Sequence, residues 1–142
     1  MRLTKYSDYS LRALMYLALS KRLCTIEEVA QAYDIPKNHL IKVINQLAAY
    51  GFVESIRGKG GGIRLADVPE NINIGEVVKV TENSFDLVEC FSEETNQCVL
   101  TPQCKLASIL SLALEQFLSV LGEYTLADIV KPRMRALLSI GE

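Results

Sequence analysis

The segment TIEEVAQAYDIPKNHLIKVINQLAAYG, residues 25–51, carries the signals of two short helices separated by a tight turn. Thr25 and Glu28 have the spacing of a capping box, in which each side chain bonds to the other residue's backbone, so a helix should begin here. Pro36 cannot continue that helix but suits the first turn of the next one. The second helix should run from Pro36 to the residue before Gly51, which stands where a C-terminal glycine cap belongs.

The second of these helices has two different faces. Its apolar residues recur at helical spacing and predict the buried side: Leu40, Val43, Ile44 and Leu47. The residues elsewhere on the cylinder are mostly hydrogen-bonding or basic: Lys37, Asn38, His39, Lys42, Asn45 and Gln46. Asparagine pairs with adenine edges, and lysine pairs with guanine or phosphate. Two helices around a tight turn, with a basic outer surface on the second, are typical of a DNA-binding helix-turn-helix.

The residues that follow predict a β-hairpin. FVESIR at 52–57 alternates apolar and polar residues, IRLA at 63–66 is the second strand-like run, and the turn GKGGG at 58–62 joins them. Glycine lets the backbone approach a phosphate or lie in a minor groove, and cations supply charge. We therefore expect DNA contacts at or beside this turn from Arg57, Lys59, Gly60 and Arg64. A hairpin directly after a helix-turn-helix is a wing.

Charge is divided unevenly along the chain. The protein has 142 residues and a net charge of -2. Residues 1–66 hold ten Lys and Arg against five Asp and Glu, a balance of +5, whereas residues 67–142 hold five against twelve, a balance of -7. A basic N-terminal half can meet phosphate, and an acidic C-terminal half cannot easily do so. We therefore place DNA binding in residues 1–66.

The most periodic segment lies in the C-terminal half. Its apolar residues follow the i, i+3, i+4, i+7 rule: Leu106, Ile109, Leu110, Ala113, Leu114, Phe117, Leu118 and Leu121. Leu112 and Val120 add apolar surface on another side of the same helix. A helix with more apolar surface than one core face needs usually packs on a second chain, which predicts a homodimer. The expected fold class is mainly α with a small β-hairpin wing: a winged helix-turn-helix domain plus a long C-terminal dimerisation helix.

Three of the four cysteines lie in one irregular, acidic segment, ECFSEETNQCVLTPQC, residues 89–104. Seven residues separate Cys90 from Cys98, and five separate Cys98 from Cys104. Zinc sites generally use closer pairs, whereas iron–sulfur clusters accept looser spacings of their thiolate ligands. We favour an iron–sulfur cluster with a fourth position left for another ligand. The residues alone leave open a structural zinc ion or three ordinary loop cysteines.

Other features argue against an enzyme and against a membrane protein. His39, the single histidine, has no nearby acid partner and is poor material for catalysis with a thiol. Cys24 precedes the capping box and should pack as a small hydrophobe. The apolar run ALMYLALS, residues 13–20, is too short to span a bilayer, and we recognise no targeting signal. We expect a cytoplasmic protein, whose thiols stay reduced.

Four features together resemble one known family, that of the bacterial winged-helix regulators with iron–sulfur clusters. They are TKYSDYSLRALMYLA at 4–18, SIRGKGGGIRL at 55–65, the three cysteines, and YTLADIV at 124–130. The resemblance covers nearly the whole chain. It implies a homodimer in which three cysteines of one subunit hold each cluster, and a dimer should bind double-stranded DNA at an inverted-repeat operator. Residues 1–66 would form the DNA-binding domain, and residues 67–142 would carry the cluster-binding loop and the dimerisation helices.

Within that family, VECFSEETNQCVLTPQCKL at 88–106 is most similar to the nitric-oxide-sensing branch. The resemblance implies a repressor whose operator affinity is controlled by a cluster that reacts with nitric oxide, with four irons and four sulfides, or two of each as the alternative. It further implies a fourth, oxygen ligand from the first helix of the other subunit, which here matches Asp8, with Arg12 nearby to orient it. The residues themselves also allow Asp8 to be an acid favoured by a helix N-terminus.

The competing function is a regulator of the same fold that responds to redox state or to iron–sulfur supply. The supply-sensing branch has a histidine ligand three positions after its last cysteine, where this chain has Ala107. The ligand set of the supply-sensing branch is therefore incomplete here. A separate departure from the commoner family pattern is the first cysteine interval, which is longer at seven residues.

Overall fold

A computed structural model describes residues 1–141. The N-terminal half forms three helices and a hairpin: α1 (Lys5–Ser20), α2 (Ile26–Tyr33), α3 (Lys37–Ala49), β1 (Val53–Ile56) and β2 (Gly62–Leu65). The C-terminal half is helical: α4 (Ile74–Thr81), α5 (Lys105–Gly122), α6 (Leu126–Ile129) and α7 (Met134–Leu137). In the described residues the two strands form a single antiparallel sheet. This is the predicted fold class, mainly α with a small hairpin.

The start of α2 has the predicted capping box. The Thr25 amide donates to Glu28 Oε2 at 2.7 Å, and the Glu28 amide donates to Thr25 Oγ1 at 3.1 Å. After α2, Asp34 takes a left-handed conformation with φ of 54°, which lets the chain turn sharply. Pro36 is the residue before α3 rather than its first helical residue, and Gly51 follows α3 with φ of 84°. The turn between α2 and α3 is therefore short and fixed at both ends.

Apolar side chains of α1, α3 and the wing form the core of the N-terminal half. Leu14 of α1 and the predicted inner face of α3 are almost fully buried: Leu40, Val43, Ile44 and Leu47. Cys24 is only 1% exposed, and burial raises the pKa of its thiol. Its backbone pairs with Ile63 through bonds of 2.9 and 2.7 Å, which attaches strand β2 of the wing to the chain ahead of α2.

Helix α1 also connects the two halves of the molecule. At its N-terminus, Ser7 Oγ donates to Thr81 Oγ1 at 2.8 Å, and the Thr4 amide donates to Glu82 Oε1 at 2.8 Å. At its C-terminus, the Arg135 guanidinium donates to the carbonyl of Leu19. The buried core therefore continues from α3 through α1 to α4 and to Leu126 of α6.

Helix α5 packs against α4 but keeps much of its apolar surface uncovered. None of its residues is buried in this chain. The close approach to α4 occurs at two glycines, because a Cβ on Gly75 would lie 2.8 Å from the Gly122 Cα. Four large apolar residues are more than half exposed: Leu106, Ile109, Leu112 and Val120. By length and composition alone, α5 could cross a membrane, with a mean hydropathy of 1.3, but such a helix is weak evidence for a membrane span.

Candidate DNA-binding surface and cysteine segment

Helix α3 holds its polar surface outward because its apolar stripe is anchored in the core. Seven residues are exposed between the start of α3 and Gln46, and we call them the outer face of α3: Lys37, Asn38, His39, Ile41, Lys42, Asn45 and Gln46. All of the α3 residues that the sequence assigns to DNA are among them. Ile41 was not predicted to lie there, and it is 38% exposed. Ile41 is apolar but does not belong to the apolar stripe at positions 40, 43, 44 and 47, and this is the sequence pattern that could have predicted its exposure.

One ion pair joins the start of α3 to the first turn of α2. Lys37 Nζ lies 3.2 Å from Glu27 Oε2, and both side chains are at least half exposed. Exposed pairs of this kind contribute little to stability. The pair directs the Lys37 ammonium group towards α2.

The wing has a tight glycine turn with cations on either side. Gly58 and Gly60 have φ of 93° and 77°, conformations that favour glycine. A Cβ on Gly61 would lie 2.1 Å from the Ile56 carbonyl oxygen, so this position also requires glycine. Arg57 and Lys59 are exposed.

The third predicted wing cation is already engaged within the protein. Arg64 pairs with Glu54, its direct cross-strand partner, with 2.9 Å between Nε and Oε2. The Arg64 side chain stays 48% exposed. Its charge is nevertheless largely balanced before any DNA arrives, which distinguishes Arg64 from Arg57 and Lys59.

Asp8 and Arg12 form a two-point ion pair on α1. Arg12 Nε donates to Asp8 Oδ1 at 2.9 Å, and a second guanidinium nitrogen donates to Asp8 Oδ2 at 2.8 Å. The two side chains are 44% and 41% exposed, respectively. The structure therefore brings together the two residues that the family resemblance linked, through a spacing of one helical turn.

The Arg12 guanidinium also contacts two tyrosine rings. Its Cζ is 5.8 Å from the Tyr9 ring centroid and 5.9 Å from that of Tyr33, within the range of a cation–π contact. Burial raises the pKa of Tyr33 to about 12, against the lowering effect of the Arg12 charge. Tyr33 is the last residue of α2, so Arg12 connects Asp8 to the helix-turn-helix. Sequence reasoning missed this contact, since residues 12 and 33 are distant in the chain.

The three clustered cysteines lie along the segment between α4 and α5. Cys90 sits in a single 3-10 turn, Cys98 in an exposed loop, and Cys104 directly before α5. All three are free thiols. The loop is shaped by Thr101, whose hydroxyl donates to the Cys98 carbonyl at 2.9 Å and accepts from Asn96 at 2.8 Å.

The donor chemistry of this segment fits an iron–sulfur cluster, because thiolates are the usual ligands of such clusters. Across residues 1–141, however, the structure gathers no group of three or more His, Cys, Asp or Glu side chains at metal-binding distance. The three thiols are accessible, but they do not form such a group.

An anchored helix with a polar outer face, a tight turn before it and a glycine-turn hairpin after it define a winged helix-turn-helix, the fold of a DNA-binding regulator. The chain belongs to the Rrf2 family, since it matches the family's model, described as an iron-dependent transcriptional regulator, over residues 3–132. Family membership confirms two predictions, that the protein is a DNA-binding transcriptional regulator and that it is not an enzyme.

Two curated relatives cover almost the same length as this chain. The HTH-type transcriptional regulator NsrR of Bacillus subtilis is 53% identical over 133 residues, which is 92% of this chain and 91% of that protein. The protein of the same name from Bacillus licheniformis is 52% identical over 143 residues, covering 98% of this chain and all of the relative. The predicted family resemblance is confirmed by these matches.

Solved structures show the same fold at lower sequence identity. IscR of T. potens superposes with a TM-score of 0.74 at 23% identity, covering 96% of this chain and 90% of that one. CymR, the global cysteine regulator of B. subtilis, gives a TM-score of 0.67 at 24% identity, covering 91% and 95%. These structures confirm the winged-helix fold and show no more than the fold.

Proposed function

We propose that this protein is a cytoplasmic transcriptional repressor that binds an inverted-repeat operator as a homodimer and loses affinity when an iron–sulfur cluster reacts with nitric oxide. The observation that carries the proposal is the set of three accessible free thiols in a chain 52–53% identical to regulators named NsrR. We propose nitric oxide as the signal because residues 88–106 resemble the nitric-oxide-sensing branch. The family's description as iron-dependent supports an iron cofactor.

Cys90, Cys98 and Cys104 would hold the cluster, with four irons and four sulfides favoured and two of each as the alternative. An iron–sulfur cluster supplies iron atoms to which nitric oxide binds strongly. The three thiols lie in a segment with only short 3-10 turns, which supports the idea that they converge when the cofactor is present. Cys24 takes no part in this site because it is buried elsewhere in the core.

Asp8 would supply the fourth ligand to the partner's cluster. Each Asp8 oxygen accepts one hydrogen bond from Arg12, and a carboxylate oxygen has capacity for a second interaction. Arg12 therefore fixes the orientation of Asp8 without exhausting its lone pairs. The 44% exposure of Asp8 leaves it accessible to another subunit.

Residues 1–66 would bind DNA through the outer face of α3 and the wing, and residues 67–142 would carry the cysteine segment and the dimer contact on α5. A dimer that places α3 of each subunit in the major groove requires half-sites about one helical turn apart. A bond from Asp8 of one subunit to the cluster in the cysteine segment of the other would hold the two DNA-binding halves in one relative arrangement.

The test is anaerobic purification followed by a visible spectrum, iron and sulfide counts, and titration with nitric oxide. We expect a brown protein that nitric oxide bleaches rapidly and stoichiometrically, with loss of binding to a duplex selected from random DNA. Ala at Cys90, Cys98 or Cys104 should remove the colour, whereas the matched control Cys24→Ala should keep it. Bound zinc in a colourless wild type would overturn the cluster assignment. Bleaching by oxygen with no response to nitric oxide would favour the redox-sensing alternative.

A further inference from the structure

One apolar side chain interrupts the polar outer face of α3. Ile41 is 38% exposed, whereas the four apolar residues that anchor the helix are at most 2% exposed: Leu40, Val43, Ile44 and Leu47. Ile41 therefore contributes little to the core that holds α3 in place. Single exposed apolar residues are common on protein surfaces, so the surroundings of Ile41 decide what it can do.

The neighbours of Ile41 on the helix surface are two asparagines. Asn38 and Asn45 stand three residues before and four residues after Ile41, so the three side chains share one face of the helix. Both asparagines are exposed. Lys37, the residue four positions before Ile41, is instead directed to α2 by its ion pair with Glu27 at 3.2 Å. The row Asn38, Ile41, Asn45 thus combines two amides with one branched apolar group.

This combination matches the chemistry of A·T base pairs in the major groove. Adenine offers N7 and N6, which an asparagine amide can bond in a bidentate manner, and thymine offers the C5 methyl group, the apolar group of the groove edge. Isoleucine is stiff at χ1, so little side-chain freedom is lost when it packs on a methyl group.

We propose that Ile41 reads the C5 methyl group of a thymine, in an A·T-rich step whose adenines Asn38 and Asn45 contact. The inference rests on the proposed role of α3 as the helix that enters the major groove. It does not depend on which cofactor or which signal controls the affinity for DNA. It makes Ile41 a specificity-determining residue that acts by apolar contact, beside the hydrogen-bonding residues already assigned.

The experiment replaces the thymines of one operator half-site, one at a time, by deoxyuridine, which lacks only the C5 methyl group. The probe is a duplex that the wild-type protein selects from random DNA, and affinity is measured by fluorescence anisotropy at fixed salt. For wild type we expect one position at which uracil weakens binding about fourfold, the effect of exposing one buried methyl group. Ile41→Ala should bind thymine and uracil at that position equally.

Two further variants make every outcome decisive. Ile41→Val keeps the branched side chain and should retain part of the thymine preference. Because Ile41 is partly exposed, neither Ile41→Ala nor Ile41→Val should prevent folding. Asn45→Ala should relax base preference at its own position. If Ile41→Ala keeps the wild-type uracil profile, or if wild type has no uracil-sensitive position, the inference is wrong. If Asn45→Ala and Ile41→Ala both leave sequence preference unchanged, the proposed role of α3 itself fails.

Discussion

At the scale of single residues, Arg12 connects the candidate ligand Asp8 to the helix-turn-helix. It holds Asp8 through two bonds of 2.8 and 2.9 Å and contacts the ring of Tyr33 at the end of α2. A change at Asp8 is therefore also a change in the surroundings of Tyr33. The polar network on the exposed side of α1 thus reaches the turn that precedes α3.

Asp8→Ala should keep a cluster with an altered spectrum, bind the operator about tenfold more weakly and lose little further affinity with nitric oxide. The physical reason is that loss of the bond from Asp8 to the partner's cluster leaves the DNA-competent arrangement of the dimer only fractionally populated. If about a tenth of the dimers keep that arrangement, the affinity falls about tenfold. The measurements are the anaerobic spectrum and operator titrations with and without nitric oxide. Glu70→Ala, which removes an exposed carboxylate outside α1 and the cysteine segment, is the control. A normal spectrum and a full response in Asp8→Ala would require a different fourth ligand.

At the scale of secondary-structure elements, the three cations of the wing have the same formal charge, but only Arg64 is paired with a carboxylate, that of Glu54. Arg57→Ala and Lys59→Ala should weaken binding to all sequences and should each lower the slope of log affinity against log salt by roughly one unit, because each cation neutralises one phosphate. Arg64→Ala should lower the slope by less, because Glu54 at 2.9 Å already balances Arg64. The check is a salt titration of binding to specific and to random duplexes. Equal slope changes for all three variants would show that the Glu54 pair opens on DNA.

At the scale of the whole molecule, α5 sets the oligomeric state that we propose. Ile109 is 52% exposed on the uncovered apolar side, so Ile109→Glu should place a charge in the dimer contact and convert the dimer to a monomer. Operator affinity should fall with it, since only one half-site is then contacted at a time. Sedimentation velocity at several concentrations measures the change. Ser111→Glu, on the polar row of α5 with Glu115, is the matched control and should remain dimeric. A monomeric wild type would contradict the dimer.

Local features of the sequence were enough to determine the helix-turn-helix, the wing and the inner face of α3. The capping box at Thr25, the proline before α3 and the apolar periodicity act over a few residues, so the sequence shows them directly. Three other facts depend on the tertiary structure: the contact of Arg12 with Tyr33, the balance of Arg64 by Glu54, and the exposure of Ile41. The two contacts join residues brought together only by helix packing or strand register, and the exposure depends on how α3 packs against its neighbours, so no local pattern in the chain specifies these three facts.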